Sequence, residues 1–477
     1  MNIVTPFFQQ CTKIPNKTAL LEEEHAISYT EFKTRIEKIA TFLKTKQTQN
    51  QCIAISLDRG IDAASCIYAV LSAGAIYLPL DIKNPVTRLS FIISDAQPAF
   101  IIGLGSAPDW LNEPEMWLDI SQLLLTEVNI DLPTQVETTE LAAILYTSGS
   151  TGTPKGVALS HQALTNFSTW ASQTFKLNQQ DRIASLAPFH FDLSIFDLFS
   201  SLASGASIFF IPARLSLSPS RLTSWLSEHK ITSWYTVPSL LSFIALKGAL
   251  ETTPLPDLKR ILFAGEVFPT QHLMRLTDLL ADTELYNLYG PTETNVCCYW
   301  QVVRQRLTSD QAIPIGSAAA NAKLAIDTET GELLVNSLNN FSGYWQQGKL
   351  QPLNLDFYPT GDKVSLNKQG EYEYFGRLDR MLKCSGYRVE PAEIEHSINQ
   401  LDNIESCAVV GIEDITSGQR PAAAIVLKNG ANLAEAIKPL RQQLAPYMQP
   451  CKFIVLDTLP CLSNGKADYQ AIQSLFK

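Results

Sequence analysis

The chain has no excess of positive charge, no long apolar run and no ordered cysteine pattern. Lysine and arginine number 37 against 47 aspartates and glutamates, so the 477 residues carry a net charge of −10 at neutral pH. An acidic chain lacks the electrostatic footprint of a nucleic-acid binder. No stretch of about eighteen consecutive apolar residues occurs, which argues against a transmembrane helix. The N-terminus, MNIVTPFFQQCTKIPNK, has no basic segment ahead of an apolar core, so no secretory signal is expected. The nine cysteines are scattered, only Cys297 and Cys298 adjoin, and no CxxC occurs. That is neither a zinc pattern nor a disulfide framework. Reduced thiols in a cytoplasmic protein are the expectation. Repeats and low-complexity tracts are also missing. What is present is a globular composition, 45% hydrophobic and 18% charged. The length suggests about three folding units, or one large and one small.

Residues 51–110 alternate strand-like and helical patterns. QCIAISLD (51–58) reads as a strand, 63–73 as a helix and PAFIIGL (98–104) as a strand. The alternation returns with RIASLAP (182–188), a helix near 192–203, ASIFFIP (206–212), a helix near 219–229 and KRILFAG (259–265). Such βαβ units predict parallel sheets, which bind ligands at the carboxyl ends of their strands. After about residue 330 the texture changes. GELLVNS and KVSLNKQGEYEYFG suggest hairpins. From about 380 a shorter α+β pattern follows: EPAEIEHSINQ (helix), SCAVVGIED and AAAIVLKN (strands), NLAEAIKPLRQQLA (helix) and CKFIVLD (strand). The expected architecture is α/β. A large N-terminal domain has parallel-rich sheets, helices and a β-rich subdomain, and a small mobile α+β domain follows. We place the division at 1–378 and 379–477.

The most informative stretch is YTSGSTGTPKG (146–156), after the apolar run LAAIL. It gathers Thr147, Ser148, Ser150, Thr151 and Thr153 with Gly149, Gly152 and Gly156, and adds Lys155. Glycines let backbone N–H groups approach an anion, hydroxyls add donors, and lysine adds a mobile positive charge. This is a phosphate-cradle composition, although it does not meet the GxxxxGK[ST] spacing of nucleotide-binding P-loops. A flexible surface loop rich in serine and glycine has the same composition.

The order of these residues is more specific. YTSGSTGTPKGV resembles the signature of the adenylate-forming superfamily, which includes nonribosomal peptide synthetase adenylation domains, acyl-CoA synthetases and luciferases. Further segments resemble that superfamily's motifs in sequence order: SYTEF (28–32), AGAIYLPLD (73–81), FHFDLSIFDLF (189–199), NLYGPTET (287–294), a degraded GELLVNSLNNFSGYW (331–345), YPTGD (358–362), GRLDRMLKCSGYRVEPAEIE (376–395) and LPCLSNGKAD (459–468). The match spans nearly the whole chain. It implies a two-step reaction. A carboxylate attacks the α-phosphorus of ATP, giving an acyl-adenylate and pyrophosphate, and a thiol then takes the acyl group. Chemistry of this kind needs charge neutralisation and in-line positioning.

The resemblance also implies roles. Thr147, Ser148, Gly149, Ser150, Thr151, Gly152 and Lys155 would hold the β- and γ-phosphates. Asn287 would read the adenine amino group and Tyr289 would stack on the base. Thr292 would contact the α-phosphate, and Glu293 would ligate Mg2+, a suitable task for a hard oxygen donor. Asp362 would accept from the ribose hydroxyls with help from Tyr374, and Arg377 would contact ribose or phosphate. Lys466 would bridge the substrate carboxylate and the α-phosphate. Asp379 stands where the family hinges. Rotation there would withdraw Lys466 and bring KCSGYR (383–388) to the site, with Gly386 lining the thiol tunnel. Cys384 and Ser385 depart from the commoner KIRG wording and remove a positive charge often present there.

In amino-acid-activating relatives an aspartate in the fourth motif pairs with the substrate ammonium, and Asp192 follows Phe191 at that position. A carboxylate in so apolar a run needs a partner. A substrate amine would supply one, and so would a structural ion pair. The remaining pocket positions, by the same resemblance, are Leu193, Phe196, Thr236, Leu262, Ala264, Leu288, Val296 and Cys297, closed by Lys466. This lining favours a small apolar amino acid over charged ones. It is similar to that of freestanding L-prolyl-AMP ligases of pyrrole-type and anatoxin-type pathways, which implies L-proline; alanine or another small aliphatic amino acid is the alternative. Eleven residues follow Lys466, and no condensation-type HHxxxDG or thioesterase-type GxSxG occurs. A freestanding enzyme that loads a separate phosphopantetheine-bearing carrier protein is therefore expected. A carboxylate–CoA ligase is the competing reading, and Asp192 weighs against it.

Overall fold

The computed structural model describes residues 2–129, 132–149, 153–309, 311–414, 418–428, 430–461 and 467–476. Two sheets organise the N-terminal part. The larger, nine-stranded among the described residues, runs in the order Ser317–Ala318, Cys298–Gln301, Glu284–Tyr289, Arg260–Phe263, Ser233–Thr236, Arg182–Ser185, Ser207–Phe210, Thr18–Glu22 and His25–Ser28. From Glu284–Tyr289 to Thr18–Glu22 every pairing is parallel. The second sheet has a parallel stretch from Leu141–Thr147 through Ile76–Pro79, Cys52–Ile55 and Phe100–Gly103 to Trp117–Asp119. An antiparallel extension, Lys155–Ser160, Gly343–Gln346 and Lys349–Pro352, completes it.

Strands such as Cys52–Ile55, Ile76–Pro79, Ser233–Thr236 and Arg260–Phe263 are buried at every position. That burial demands cover on both faces. Helices Tyr29–Thr45, Ile61–Ser72 and His161–Thr174 fill the space between the sheets in one shared core. Helices Pro219–Glu228, Pro238–Lys247 and Thr270–Leu279 cover the outer face of the larger sheet. Local sequence sets the helix starts. Ser28 caps Tyr29–Thr45 in a reciprocal capping box with Glu31. Its core stripe, Phe32, Ile36, Ile39 and Leu43, recurs at three to four residues.

An antiparallel sheet follows, Lys323–Ile326, Glu332–Asn336, Tyr358–Leu366 and Tyr372–Arg377. Beyond it Leu382–Cys384, Tyr387–Val389, Gly418–Leu427, Ile404–Asp414 and Lys452–Val455 form a separate sheet. One face of that sheet packs on Pro391–Asn399 and the other on Tyr469–Ser474. Arg88 and Glu393, both nearly buried, join this part to the larger one by an ion pair.

Two segments differ from the sequence expectation. The helix expected over 432–445 is two short turns, Leu433–Ala436 and Leu440–Gln443. Pro439 interrupts them, since its ring and missing N–H prevent a continuous helix. The helix expected near 192–203 begins with tight turns and widens into a π-type coil over Phe196–Ser200 before Ser201–Ala203. Such widened turns collect near functional sites. Among the described residues no helix is long and apolar enough to cross a membrane, and no cysteine is in a disulfide.

Candidate active site

The parallel register aligns the strand ends. Thr236 pairs with Phe263, and Phe263 with Asn287, so Thr236, Ala264 and Leu288 emerge at one level. Thr147 ends the neighbouring sheet's strand and lines, with Ala264, a cavity of about 120 Å³; Thr236 and Leu288 lie off its wall. Pockets for drug-sized ligands are roughly 300–1,000 Å³, so this one suits a small group. Thr147, Ser148, Phe191, Asp192, Leu193, Tyr235, Ala264, Thr292, Val296, Asp362, Arg377 and Gly386 line it. A larger depression of about 1290 Å³ shares Phe191, Leu193 and Tyr387 with the cavity. It takes in Thr236, Val237, Leu240 and Phe243 and opens at the surface.

Asp192 sits in the tight turn before the π-type coil, its carbonyl accepting from the Ile195 N–H at 3.0 Å. Burial pushes its carboxyl up to about 6, partly offset by a hydrogen bond from Thr292. Among the described residues it has no cationic partner. The structural ion pair that would explain a carboxylate here is not found among them.

Glu293 is fully buried and accepts from Arg388 at 2.9 and 3.1 Å and from the Tyr344 hydroxyl at 3.1 Å. Burial alone would raise its pKa, but the Arg388 guanidinium prevails and holds it low. Asp362 accepts from the Tyr289 hydroxyl on one oxygen and from Arg377 at 3.0 Å on the other. Arg377 turns its remaining edge to Asp379 at 2.5 and 2.8 Å. The Lys383 ammonium lies 5.6 Å from the centre of the Tyr289 ring and 5.2 Å from that of Tyr374. Burial lowers its pKa, and Asp362 opposes that. Ser148 donates to the Arg388 carbonyl. Gly149 is required where it stands: an added Cβ would meet the Thr153 carbonyl oxygen at 2.0 Å. Lys155 points its ammonium at the Tyr344 ring, 5.5 Å away. Asn287 donates to the Pro314 carbonyl at 2.8 Å.

Of the residues expected from the sequence, Thr147, Ser148, Phe191, Asp192, Leu193, Ala264, Thr292, Val296, Asp362, Arg377 and Gly386 line the cavity, while Gly149, Lys155, Thr236, Asn287, Tyr289, Glu293, Tyr374 and Asp379 do not. Phe196, Leu262 and Leu288 are buried in the core beside it rather than on its wall. Cys297 packs apart from them, with Tyr289, Cys298, Ile315 and Leu333. Ser150, Thr151, Gly152 and Lys466 lie outside the described residues. The sequence reading brought KCSGYR to the site as a segment but singled out only Gly386 within it. Lys383 and Arg388 are its charged contributions, visible in the sequence only as two basic residues flanking a turn. Tyr344 lies inside the degraded motif 331–345 without having been singled out, and Tyr235 and Glu266 carried no signal of their own.

Residues 7–345 match the AMP-binding enzyme family, and residues 393–466 match the AMP-binding enzyme C-terminal domain. An L-proline–(L-prolyl-carrier protein) ligase of Streptomyces coelicolor is 36% identical, over 94% of this chain and 91% of that protein. A ligase of the same name from Pseudomonas fluorescens is 33% identical, over 96% of each. Among solved structures, an o-succinylbenzoate CoA synthetase from Bacillus subtilis superposes with a TM-score of 0.87 at 21% identity, over 98% of each chain.

Proposed function

Because this chain belongs to the AMP-binding enzyme family, we propose that it uses ATP to convert L-proline to prolyl-AMP, releasing pyrophosphate, and then passes the prolyl group to the phosphopantetheine thiol of a separate carrier protein. The observation that carries the amino-acid assignment is Asp192, a carboxylate with no ion-pair partner among the described residues, set beside Phe191, Tyr235, Ala264 and Val296 on the wall of a small cavity that Arg377, Lys383 and Arg388 also line. A substrate ammonium supplies the missing charge. Proline's secondary ammonium retains two N–H donors for it, and Phe191, Tyr235, Ala264 and Val296 surround a compact ring. The two L-proline–(L-prolyl-carrier protein) ligases that match nearly full length support the same substrate and acceptor.

In the first step the substrate carboxylate attacks the α-phosphorus. The loop 147–155 would hold the outer phosphates, Thr292 the α-phosphate, and Lys466 the two reacting groups together. Asn287, Tyr289, Tyr374, Asp362 and Arg377 would hold the nucleoside. Glu293 fits a hard cation, and Mg2+ bound there supplies charge neutralisation for the phosphates. Arg388 already pairs with that carboxylate. The arrangement described here therefore suits the second step, with KCSGYR at the site and Gly386 beside Phe191 and Val237. The thiol would enter through the larger depression, attack the prolyl carbonyl carbon and displace AMP. We place the core at 1–378 and the mobile domain at 379–477, hinged at Asp379, two residues beyond the last strand of the β-rich sheet. A reducing, cytoplasmic setting fits nine unpaired thiols.

The test is amino-acid-dependent exchange of labelled pyrophosphate into ATP across the twenty amino acids. A dominant L-proline signal is expected. A dominant alanine or leucine signal keeps the chemistry and overturns the substrate. Signal with simple carboxylic acids alone makes Asp192 structural and favours a carboxylate–CoA ligase. Lys466→Ala is expected to slow exchange about 10²-fold or more, by removing charge stabilisation at the reacting oxygens. Melting temperature should stay within a few degrees, and an unaltered exchange rate would remove Lys466 from the reaction.

A further inference from the structure

Glu266 plays no part in the roles assigned above, yet it touches both halves of the molecule. It follows Gly265 in the loop after the strand Arg260–Phe263. One carboxylate oxygen accepts from the backbone N–H of Ser239 at 2.8 Å, in the first turn of the helix Pro238–Lys247. The other accepts from the backbone N–H of Gly386 at 2.6 Å. Gly386 belongs to the two-residue turn between Leu382–Cys384 and Tyr387–Val389. Ser385 has φ +50 and Gly386 φ +83, the left-handed pair of a type I′ hairpin turn. The second residue of such a turn presents its N–H outward, without a partner inside the hairpin. Gly265 packs directly against this turn, its Cβ position 3.7 Å from the Gly386 Cα. Glu266 and Gly265 thus form a seat for the hairpin tip.

We infer that Glu266 is a positioning residue for thiol transfer: its carboxylate, already fixed by the Ser239 N–H, receives the Gly386 N–H and holds the small domain with KCSGYR in the site. The inference rests on the two-step reading above and adds to it a residue that decides which step the enzyme is set for. Only one orientation of the small domain offers that N–H, so the bond biases the equilibrium between orientations by its own strength. A hydrogen bond to a charged acceptor is among the stronger ones. The environment supports an ionised acceptor. Burial raises the Glu266 pKa to about 6, and the bonds from Ser239 and Gly386 and the charge of Lys383 oppose that rise.

The inference is tested by a distance measurement on the full chain without substrates. Exposed Cys451 carries one spin label and Leu125→Cys the other, with Cys461→Ser removing the second exposed thiol. Glu266→Ala is expected to lose at least about half of the docked-distance population, and its transfer to free pantetheine to fall about tenfold. Pyrophosphate exchange should stay within about twofold of the parent. Glu266→Gln, which keeps one acceptor oxygen, should lie between the two. An unchanged distance distribution in both variants overturns the inference. So does a parallel loss of exchange, transfer and melting temperature, which would make Glu266 only a cap for the helix Pro238–Lys247. If Glu266→Ala does not fold, the Glu266→Gln distance distribution decides. Failure of the two-step reading shows separately, as a parent protein that exchanges pyrophosphate with no amino acid or transfers nothing to pantetheine.

Discussion

Asp192→Asn should abolish amino-acid-dependent pyrophosphate exchange while making the substrate-free protein more stable at neutral pH. An asparagine cannot balance the substrate ammonium, and removing one partner of a buried ion pair costs roughly 3–5 kcal/mol. That corresponds to a loss of about 10²- to several 10³-fold in apparent affinity. The stability change has the opposite sign. The folded-state pKa of Asp192, about 6, lies above the usual carboxylate value, because burial opposes the charge. The folded chain therefore binds the proton more tightly than the unfolded chain. The stability this lends is complete below about pH 4 and is lost as pH rises through about 6. Asparagine carries no charge to bury, so the variant should exceed the parent by up to about 3 kcal/mol at pH 7.5, and the gap should close near pH 4. Melting curves at both pH values check this. A variant that loses stability at pH 7.5 would mean that Asp192 is held by a structural partner. The same group sets a pH profile. Below about pH 6, kcat/KM for the amino acid should fall about tenfold per unit, as protonation of Asp192 removes the partner of the substrate amine.

Gly386→Leu is expected to separate the two half-reactions. The position has φ +83, where a side chain is strained by about 1–2 kcal/mol. An added Cβ would also come within 2.6 Å of Val237 Cγ1 and 3.7 Å of the Phe191 ring. The hairpin then cannot seat against Val237 and Phe191, and the side chain would fill the proposed route of the thiol to the cavity. Transfer to a thiol should fall about 10²-fold or more. Pyrophosphate exchange should survive, because in the proposed mechanism adenylation would use another orientation of the small domain. Rapid single-turnover assays of each step provide the check. Equal losses in both steps would place Gly386 in adenylation as well, and unimpaired transfer would remove it from the thiol route.

Much of this molecule was readable before any coordinates. Parallel sheets follow from short apolar runs alternating with helical patterns, and strands such as Cys52–Ile55 and Arg260–Phe263 are buried on both faces as that reading requires. The phosphate loop and the order of the motifs identified the chemistry, because such loops need particular residues at particular spacings. Asp192 stood out for a simple reason: a charge in an apolar run needs an explanation. Local rules failed where a single residue overrode the average. Pro439 split an otherwise helical pattern, and the coil over Phe196–Ser200 widened where the chain passes the cavity.

Contacts across long separations were beyond the sequence. The motif alone did not place Cys297 in another cluster while its neighbour Val296 lines the cavity. Nor did it pair Glu293 with Arg388, 95 residues away, or set the Lys383 ammonium between Tyr289 and Tyr374. The last two link the segment 383–388 to the larger part of the chain, so the proposed rotation at Asp379 would exchange both at once. Residue type and spacing determine which chemistry the chain can perform, since they fix what each local segment can bind. Which step it is poised for belongs to the tertiary structure alone, because buried charges such as Glu293 take whichever partner the packed domains bring within reach.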